Sequence, residues 1–516
     1  MKTNTMKFIR QCASFIIGGA LLAITPPSIA CQLYHSDNTH STVKHDVLYT
    51  LLNDPSVACP NNVGEFKLLL ENNKLFSKKA MVANRGHHNP AQGSFSFFET
   101  VIEGEFFFGH FTGLENQQLI LDQSPAPGKL LIELIAWDAN KRVFNFYELR
   151  GIKTGTRWFY RGDSFDALAD NKNLYRIPKP GEAKFGSIMR CSACHNSGGP
   201  IMKELVSPHN DWWLTSRPLL FGDYRLSKEA STSNQVIIDA ALFAQSVYHG
   251  MNKLENSDTY QEKIASLSLQ EQLRPLFCTT EINIDSDEDT TGDIQIPSDF
   301  WIDARLGYVE AKMSRKNYES LLIKHNVKFP ENNLPDAYHA WLAPIRSVAD
   351  QLAIDKLLSN NVITMDFVKA VLGVDFKHPV FSQQRCHLLK QVPNQLDAHW
   401  LETFEITLKN SSDVSAKSLL ANLSDAEHGF ANLNGSIKTY LKEISSLENN
   451  ATLQEQAVKK LLHVRQELSS SEISQNPLGQ ILEPGFRVIF PRKSFESTKV
   501  IPTKHTFTPT LAQPVA

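Results

Sequence analysis

Closely spaced apolar and aromatic runs fill residues 31–180. Leu130–Trp137 and Arg142–Leu149 are apolar or alternating runs separated by a short polar segment, which predicts a β-hairpin. Phe95–Phe108 is dense in Phe, as is typical of the core of a β-sandwich or barrel. Pro178–Gly181 then breaks the pattern and predicts a linker. We therefore expect a β-rich domain in this stretch.

Beyond the linker the apolar spacing becomes helical. Asn234–Tyr248 has apolar residues at helical spacing, and Gly250 is placed to end that helix. Asp336–Leu358 predicts a second helix, and Ile437–Leu447 carries a single apolar stripe. The capping-box pattern of Thr452–Glu455 predicts the start of another helix. The C-terminal half is therefore expected to be mainly helical.

Residues 1–30 have the pattern of a secretory signal peptide. Basic residues precede the apolar run Ala13–Ile24, and Ser28–Ala30 forms a small-x-small cleavage site before Cys31. This pattern predicts export to the periplasm, with an uncleaved anchor as the alternative. Membrane attachment is expected only if Cys31 is lipidated, and Ser28 stands where a bacterial lipoprotein usually has Leu.

One short motif carries recognisable chemistry. Cys191 and Cys194 are separated by two residues, and His195 follows directly. In a c-type haem attachment sequence each thiol adds to one haem vinyl group, and the adjacent His ligates the iron. Haem c is attached outside the cytoplasm, so the motif agrees with the predicted signal peptide.

The segment Arg190–Pro200 resembles the attachment region of bacterial c-type cytochromes. The resemblance implies one covalent haem c on Cys191 and Cys194, with His195 as the proximal iron ligand. In many such cytochromes a carbonyl of a Gly/Pro segment after the motif accepts the imidazole N–H, and Pro200 is placed to provide one here, at a shorter spacing than in mitochondrial-type cytochromes. The rest of the chain is far larger than a small cytochrome domain.

Two other kinds of site use a Cys pair. A structural zinc site needs a fourth ligand and usually a second close pair, which the sequence near Cys191 does not show. A redox disulfide of the thioredoxin kind should follow a strand in a βαβ unit, and residues 181–190 do not have a strand pattern. Both remain alternatives to haem.

The sixth iron ligand would decide the chemistry. Met251 is our predicted distal ligand, because it follows the predicted helix end and a loop there could fold over the ring. The alternatives are a core or surface role for Met251, ligation by Met202, His209 or His249, and an open site. A thioether ligand suits electron transfer, whereas an open site admits small ligands.

Cys12 lies in the predicted signal peptide, and the remaining four cysteines form an even set, as suits an oxidising compartment. Sequence proximity favours pairing of Cys31 with Cys59, which leaves Cys278 with Cys386; buried free thiols are the alternative.

These patterns predict an exported protein that transfers electrons through one haem. A formal net charge of −3 argues against nucleic acid as a partner. The expected partner is a periplasmic redox protein or a small-molecule substrate. A haem enzyme of peroxidase or oxidase type and a haem-based sensor are the alternatives, so the sequence does not decide whether the chain is an enzyme.

The predicted fold class is α+β. A β-rich N-terminal domain is followed by a small α-helical, cytochrome-c-like haem module and a mainly α-helical C-terminal region. The predicted boundaries are a signal peptide over 1–30, the β-rich domain over 31–180, the haem c module over 181–280, an acidic loop over 281–298, the helical domain over 299–496 and a disordered tail over 497–516.

Overall fold

The computed structural model describes most of the chain between residues 31 and 473. The described residues are 31–35, 44–83, 96–111, 113–115, 118–120, 130–171, 195, 197–200, 225–226, 236–238, 240–278, 282–285, 292–325 and 343–473. Several predictions fall outside them: the signal peptide over 1–30, the linker over 178–181, the tail over 497–516, and the motif residues Cys191 and Cys194.

Strands concentrate in the first third of the described chain. They are β1 Leu33–His35, β2 Lys79–Ala83, β3 Ser96–Ile102, β4 Phe106–Phe111, β5 Gly113–Glu115, β6 Gln118–Ile120, β7 Leu130–Asp138, β8 Val143–Ile152, β9 Gly155–Asp163, β10 Arg225–Leu226, β11 Ile282–Asp285, β12 Ile294–Ile296, β13 Ala311–Met313 and β14 Ala343–Arg346.

Helices dominate the second half. They are α1 Val47–Asn53, α2 Val63–Asn72, α3 Ser164–Asn171, α4 Ala240–Glu255, α5 Asp258–Ala265, α6 Leu269–Phe277, α7 Arg315–Lys324, α8 Val348–Ser359, α9 Met365–Gly373, α10 Gln383–Leu388, α11 Trp400–Asn410, α12 Val414–Ala426, α13 Ala431–Ile444 and α14 Ala451–Ile473.

A seven-stranded mixed sheet organises the N-terminal region, in the order β1-β9-β8-β7-β4-β3-β2. The predicted hairpin is confirmed: β7 and β8 pair antiparallel, with Leu134 opposite Tyr147. Strand β1 pairs parallel with β9, which makes the sheet mixed. Together with the helices of the C-terminal half, this sheet confirms the α+β class.

The expectation of a β-sandwich or barrel is wrong for this sheet, which is a single layer with helices on both faces. On one face Phe66 of α2 packs with Phe97 and Phe108. On the other face Phe243 of α4 packs with Phe98 and Phe107. Neighbouring residues of a strand point to opposite faces. The dense Phe run is explained because both faces are covered and both therefore need apolar side chains.

Helix α4 differs from its predicted bounds. It runs to Glu255, so the predicted end at Gly250 is wrong and Met251 lies inside the helix instead of in a loop. Gly250 instead lies in close contact with other segments. A Cβ there would lie 2.6 Å from Cγ of Pro200 and 3.2 Å from the carbonyl oxygen of Gly104. The glycine thus permits close packing of the helix, which a local capping pattern does not reveal.

Two further helix starts were predicted at the wrong residue. Residues 343–346, inside the predicted helix over 336–358, form strand β14, and the Oγ atom of Ser347 accepts the backbone N–H of Asp350 to cap α8. At α14 the side chain of Asn450 accepts the N–H of Leu453, so Asn450, and not Thr452, begins the helix. The apolar stripe on α13 is confirmed, with Ile437 buried.

The helices of the segment over 181–298 pack in two different parts of the fold. Its helix α4 packs on the sheet, whereas α6 joins the largest apolar cluster of the C-terminal half. The predicted acidic loop over 281–298 contains two short strands, β11 and β12, which pair with β14 and β13. Within the described residues, none of the helices has both the length and the apolar character needed to cross a membrane.

Both predicted cysteine pairs are disulfides. Cys31 bonds Cys59 and ties the start of the described chain to the segment before α2. Cys278 bonds Cys386 inside the largest apolar cluster, where both residues are buried. The second bond closes a separation of 108 residues and joins the end of α6 to α10.

Candidate haem site

His195 lies in a buried position beside the sheet, with 8% of its surface exposed. Its Nδ1 atom is 2.9 Å from the carbonyl oxygen of Gly199. Because a carbonyl only accepts hydrogen bonds, Nδ1 must carry the proton, and the lone pair of the neutral imidazole is then on Nε2. Metal-ligating His residues commonly use the same tautomer, in which one nitrogen donates to the protein and the other faces the metal.

The residues after His195 form a tight turn. The N–H of Gly198 donates to the carbonyl of His195 over 2.8 Å. Gly198 has a φ of +80°, which only Gly adopts readily. The turn places the carbonyl of Gly199 beside the imidazole of His195. The predicted acceptor from the Gly/Pro segment is therefore the carbonyl directly before Pro200.

Three successive carbonyls of this turn each accept a side-chain hydrogen bond. Tyr260 of α5 donates its hydroxyl to Ser197 over 2.7 Å. Ser164, at the start of α3, donates its hydroxyl to Gly198 over 2.6 Å. Together with the donation of His195 to Gly199, these bonds hold the turn against two separate helices. We call residues 195 and 197–200 the His195 loop.

The imidazole itself packs against an aromatic ring. The rings of His195 and Phe146 lie 5.5 Å apart at 37°. Phe146 is fully buried on β8, in a cluster with Val143 and Phe144. Apolar cover of this kind lowers the local dielectric around a ligand and fixes its ring orientation.

Met251 of α4 packs against the His195 loop at Gly199. It is fully buried in the cluster with Phe98, Phe107 and Phe243. Its sulfur packs against Gly199 so closely that a Cβ on Gly199 would collide with it. These contacts are those of a core Met that supports the loop, which was the alternative to its predicted role as distal ligand; the ligand role stays a prediction.

Among the other candidates for the sixth ligand, the structure describes His249 but not Met202 or His209. His249 is on the solvent-facing side of α4, where its Nδ1 atom is 3.2 Å from a carboxylate oxygen of Glu103. Met202 and His209 lie outside the described residues, as do Cys191 and Cys194. Within the described part of the chain, no group of three or more His, Cys, Asp and Glu residues is arranged to hold a metal ion.

The residues present fit a haem ligand on two counts. The tautomer of His195 places a lone pair on Nε2, and the ring is buried and packs against Phe146. The sequence pointed to His195 and to the Gly/Pro segment but missed Ser164, Tyr260 and Phe146. No local pattern marks these three, because each reaches the loop from an element distant in the sequence.

Glu255, at the end of α4, is a buried carboxyl near this loop. It accepts a hydrogen bond from the amide of Gln261 over 3.1 Å. Burial raises the pKa of Glu255 to about 7, even though Gln261 and Lys356 favour the charged form. In the unfolded chain the same group loses its proton near pH 4.5.

We expect Glu255→Gln to stabilise the protein at alkaline but not at acidic pH. Below pH 4.5 both states hold the proton, so the substitution changes little. As the pH rises to about 7 the unfolded state ionises first, and the wild type loses about 3 kcal/mol of stability that the variant keeps. Urea unfolding at pH 4.5 and pH 8 measures this difference.

Glu262→Gln is the matched control, since Glu262 is exposed on the neighbouring helix. It should leave the free energy of unfolding almost unchanged at both pH values. An equal effect of Glu255→Gln at the two pH values would show that folding does not raise the pKa of Glu255.

Comparisons with protein-family models, curated proteins and solved structures found no match.

Proposed function

We propose that this chain is an exported, single-haem c-type cytochrome that transfers electrons in the periplasm. The observation that carries the proposal is the hydrogen bond from His195 to the carbonyl of Gly199. It supports a ligand role because it puts the lone pair on Nε2. Bound haem would supply one-electron chemistry through the ferric and ferrous states of its iron.

The protein's contribution would be to hold and tune the iron ligand. Cys191 and Cys194 would form the thioether bonds, and His195 would ligate through Nε2. The carbonyl of Gly199 makes the imidazole more electron-rich by accepting its N–H. Tyr260 and Ser164 hold the loop that carries this carbonyl. A ligand fixed in this way changes position little when its charge environment changes.

The disulfides support the proposed compartment. Two disulfides in one chain suit an oxidising environment such as the periplasm. They also bear on lipidation, because a sulfur of Cys31 that is bonded to Cys59 cannot carry a lipid thioether. The disulfide therefore favours a cleaved, unanchored protein over a lipoprotein.

Optical spectra test the proposed electron transfer against the enzyme and sensor alternatives. The protein, produced in a host that matures c-type cytochromes, should give a low-spin spectrum that carbon monoxide does not change, since a filled sixth position excludes other ligands. Rapid binding of carbon monoxide together with peroxide turnover would contradict electron transfer and favour a haem enzyme. If Met251 fills the sixth position, Met251→Ala will shift the spin state; an unchanged spectrum would restrict Met251 to packing.

A further inference from the structure

A cavity of about 410 Å³ lies beside the His195 loop, which contributes Ser197 to its wall. Helices α4 and α5 contribute Glu255 and Ile264, and α8 contributes Ala353 and Leu357. The volume is in the range of sites that hold small organic molecules. The cavity thus joins the sheet-bound loop to the helical C-terminal half at a place where a ligand would contact both.

Two polar groups in this wall are buried. The Oγ atom of Ser197 is buried and has no hydrogen-bond partner among the described residues. A hydroxyl in this state costs free energy unless something satisfies it. The carboxyl of Glu255 is also buried, with 7% of the residue exposed. Its raised pKa reflects the same lack of water. A ligand hydroxyl could donate to one of these groups and accept from the other.

The charged groups around the cavity nearly balance. Its lining includes three acids and three bases, namely Glu255, Glu271, Asp350, Lys263, Arg274 and Lys356, and the raised pKa of Glu255 leaves this acid only partly ionised near neutral pH. The other lining residues are mostly apolar, among them Leu168, Ile264 and Leu357. A nearly balanced set of charges gives little net attraction to an anion or a cation, whereas the apolar wall favours a ring or chain.

We propose that this cavity binds a small, neutral, largely apolar molecule that carries one hydroxyl group. Its apolar part packs against Ile264, Ala353 and Leu357, and its hydroxyl is hydrogen-bonded by Ser197 and Glu255. The inference goes beyond electron transfer and uses only residues of the cavity. Where the proposed function holds, such a molecule lies next to the loop that carries the iron ligand.

Ligand-observed NMR titrations of the full-length mature protein test this proposal with two probes. 2-Naphthol has the required ring and hydroxyl, whereas 2-methoxynaphthalene has the same ring and cannot donate a hydrogen bond. We expect 2-naphthol to bind at least about fivefold more tightly, since one net hydrogen bond is worth about 1 kcal/mol. Equal affinities, or no binding of either probe, would overturn the proposal.

Substitutions test whether 2-naphthol binds in the cavity. Ala353→Phe fills the cavity and should abolish binding of 2-naphthol. Ser197→Ala and Glu255→Leu should each weaken it about fivefold, whereas Glu262→Leu, on an exposed position of the neighbouring helix, should not change it. Unchanged affinity in both Ser197→Ala and Glu255→Leu would place the probe elsewhere, even if Ala353→Phe failed to fold.

A haem-free form separates this inference from the proposed function. Cys191→Ala/Cys194→Ala should bind 2-naphthol as the wild type does, because it leaves the proposed binding groups Ser197 and Glu255 unchanged. Binding without haem in the wild type would leave the cavity site standing and overturn the cytochrome assignment. Haem in the wild type without binding of 2-naphthol would overturn the cavity proposal and leave the cytochrome assignment standing.

Discussion

Cys191→Ala/Cys194→Ala is expected to abolish covalent haem completely in protein from a host that matures c-type cytochromes. The thioether bonds need both sulfurs, and an imidazole alone does not retain haem through denaturation. A haem stain of a denaturing gel and the haemochrome spectrum in alkaline pyridine measure the loss. The wild type should give one haem per chain, and the double variant should give none.

Cys31→Ala/Cys59→Ala is the matched control, because it also removes two sulfurs but from a disulfide. It should lose stability, by about 3 kcal/mol for a closed loop of this size, and keep one haem per chain. Haem in the Cys191→Ala/Cys194→Ala variant would contradict the site. Stoichiometric zinc in the wild type, or a reducible disulfide between Cys191 and Cys194, would favour one of the other two uses of a Cys pair.

Gly198→Ala is expected to lower the free energy of unfolding by about 3 kcal/mol or more and to disturb the ligation of haem iron by His195. The residue has a φ of +80°, at which a Cβ costs about 1 kcal/mol. That Cβ would also lie 2.8 Å from the carbonyl oxygen of Ser164 and 2.9 Å from its Cα. Main-chain atoms cannot retreat like the end of a flexible side chain, so the turn would have to open. Urea unfolding and the spin state in the optical spectrum measure the two effects.

Gly429→Ala is the control that separates the backbone strain of a positive φ from the steric collision of the added Cβ. Gly429 has a similar φ of +68°, but a Cβ there would meet nothing within 4 Å. It should cost only about 1 kcal/mol and leave the optical spectrum unchanged. If the two substitutions had equal effects, the packing of Gly198 against Ser164 would not be needed to hold the His195 loop.

The sequence predicted features whose signals are local. The β7–β8 hairpin follows from two apolar runs and a short turn, and the buried face of α13 follows from its apolar stripe. His195 was singled out because the motif Cys191–His195 places three candidate haem-binding residues within five positions. Each of these depends on neighbours in the chain.

Features that depend on distant contacts were missed. Gly250 has the local pattern of a helix end, yet it lies inside α4 because Pro200 packs against it. The Phe run of β3 and β4 indicated two packed sheets, whereas helices cover both faces. Ser164 and Tyr260 hold the His195 loop, but a single hydroxyl residue gives no indication of its partner.

The intact mass of the purified wild type tests the central claim most directly. Protein exported by a host that attaches haem c should be coloured, and its denatured chain should be heavier than the polypeptide by the mass of one haem. A colourless protein with the mass of the polypeptide alone would contradict the assignment of His195 as an iron ligand and of Cys191 and Cys194 as its attachment points.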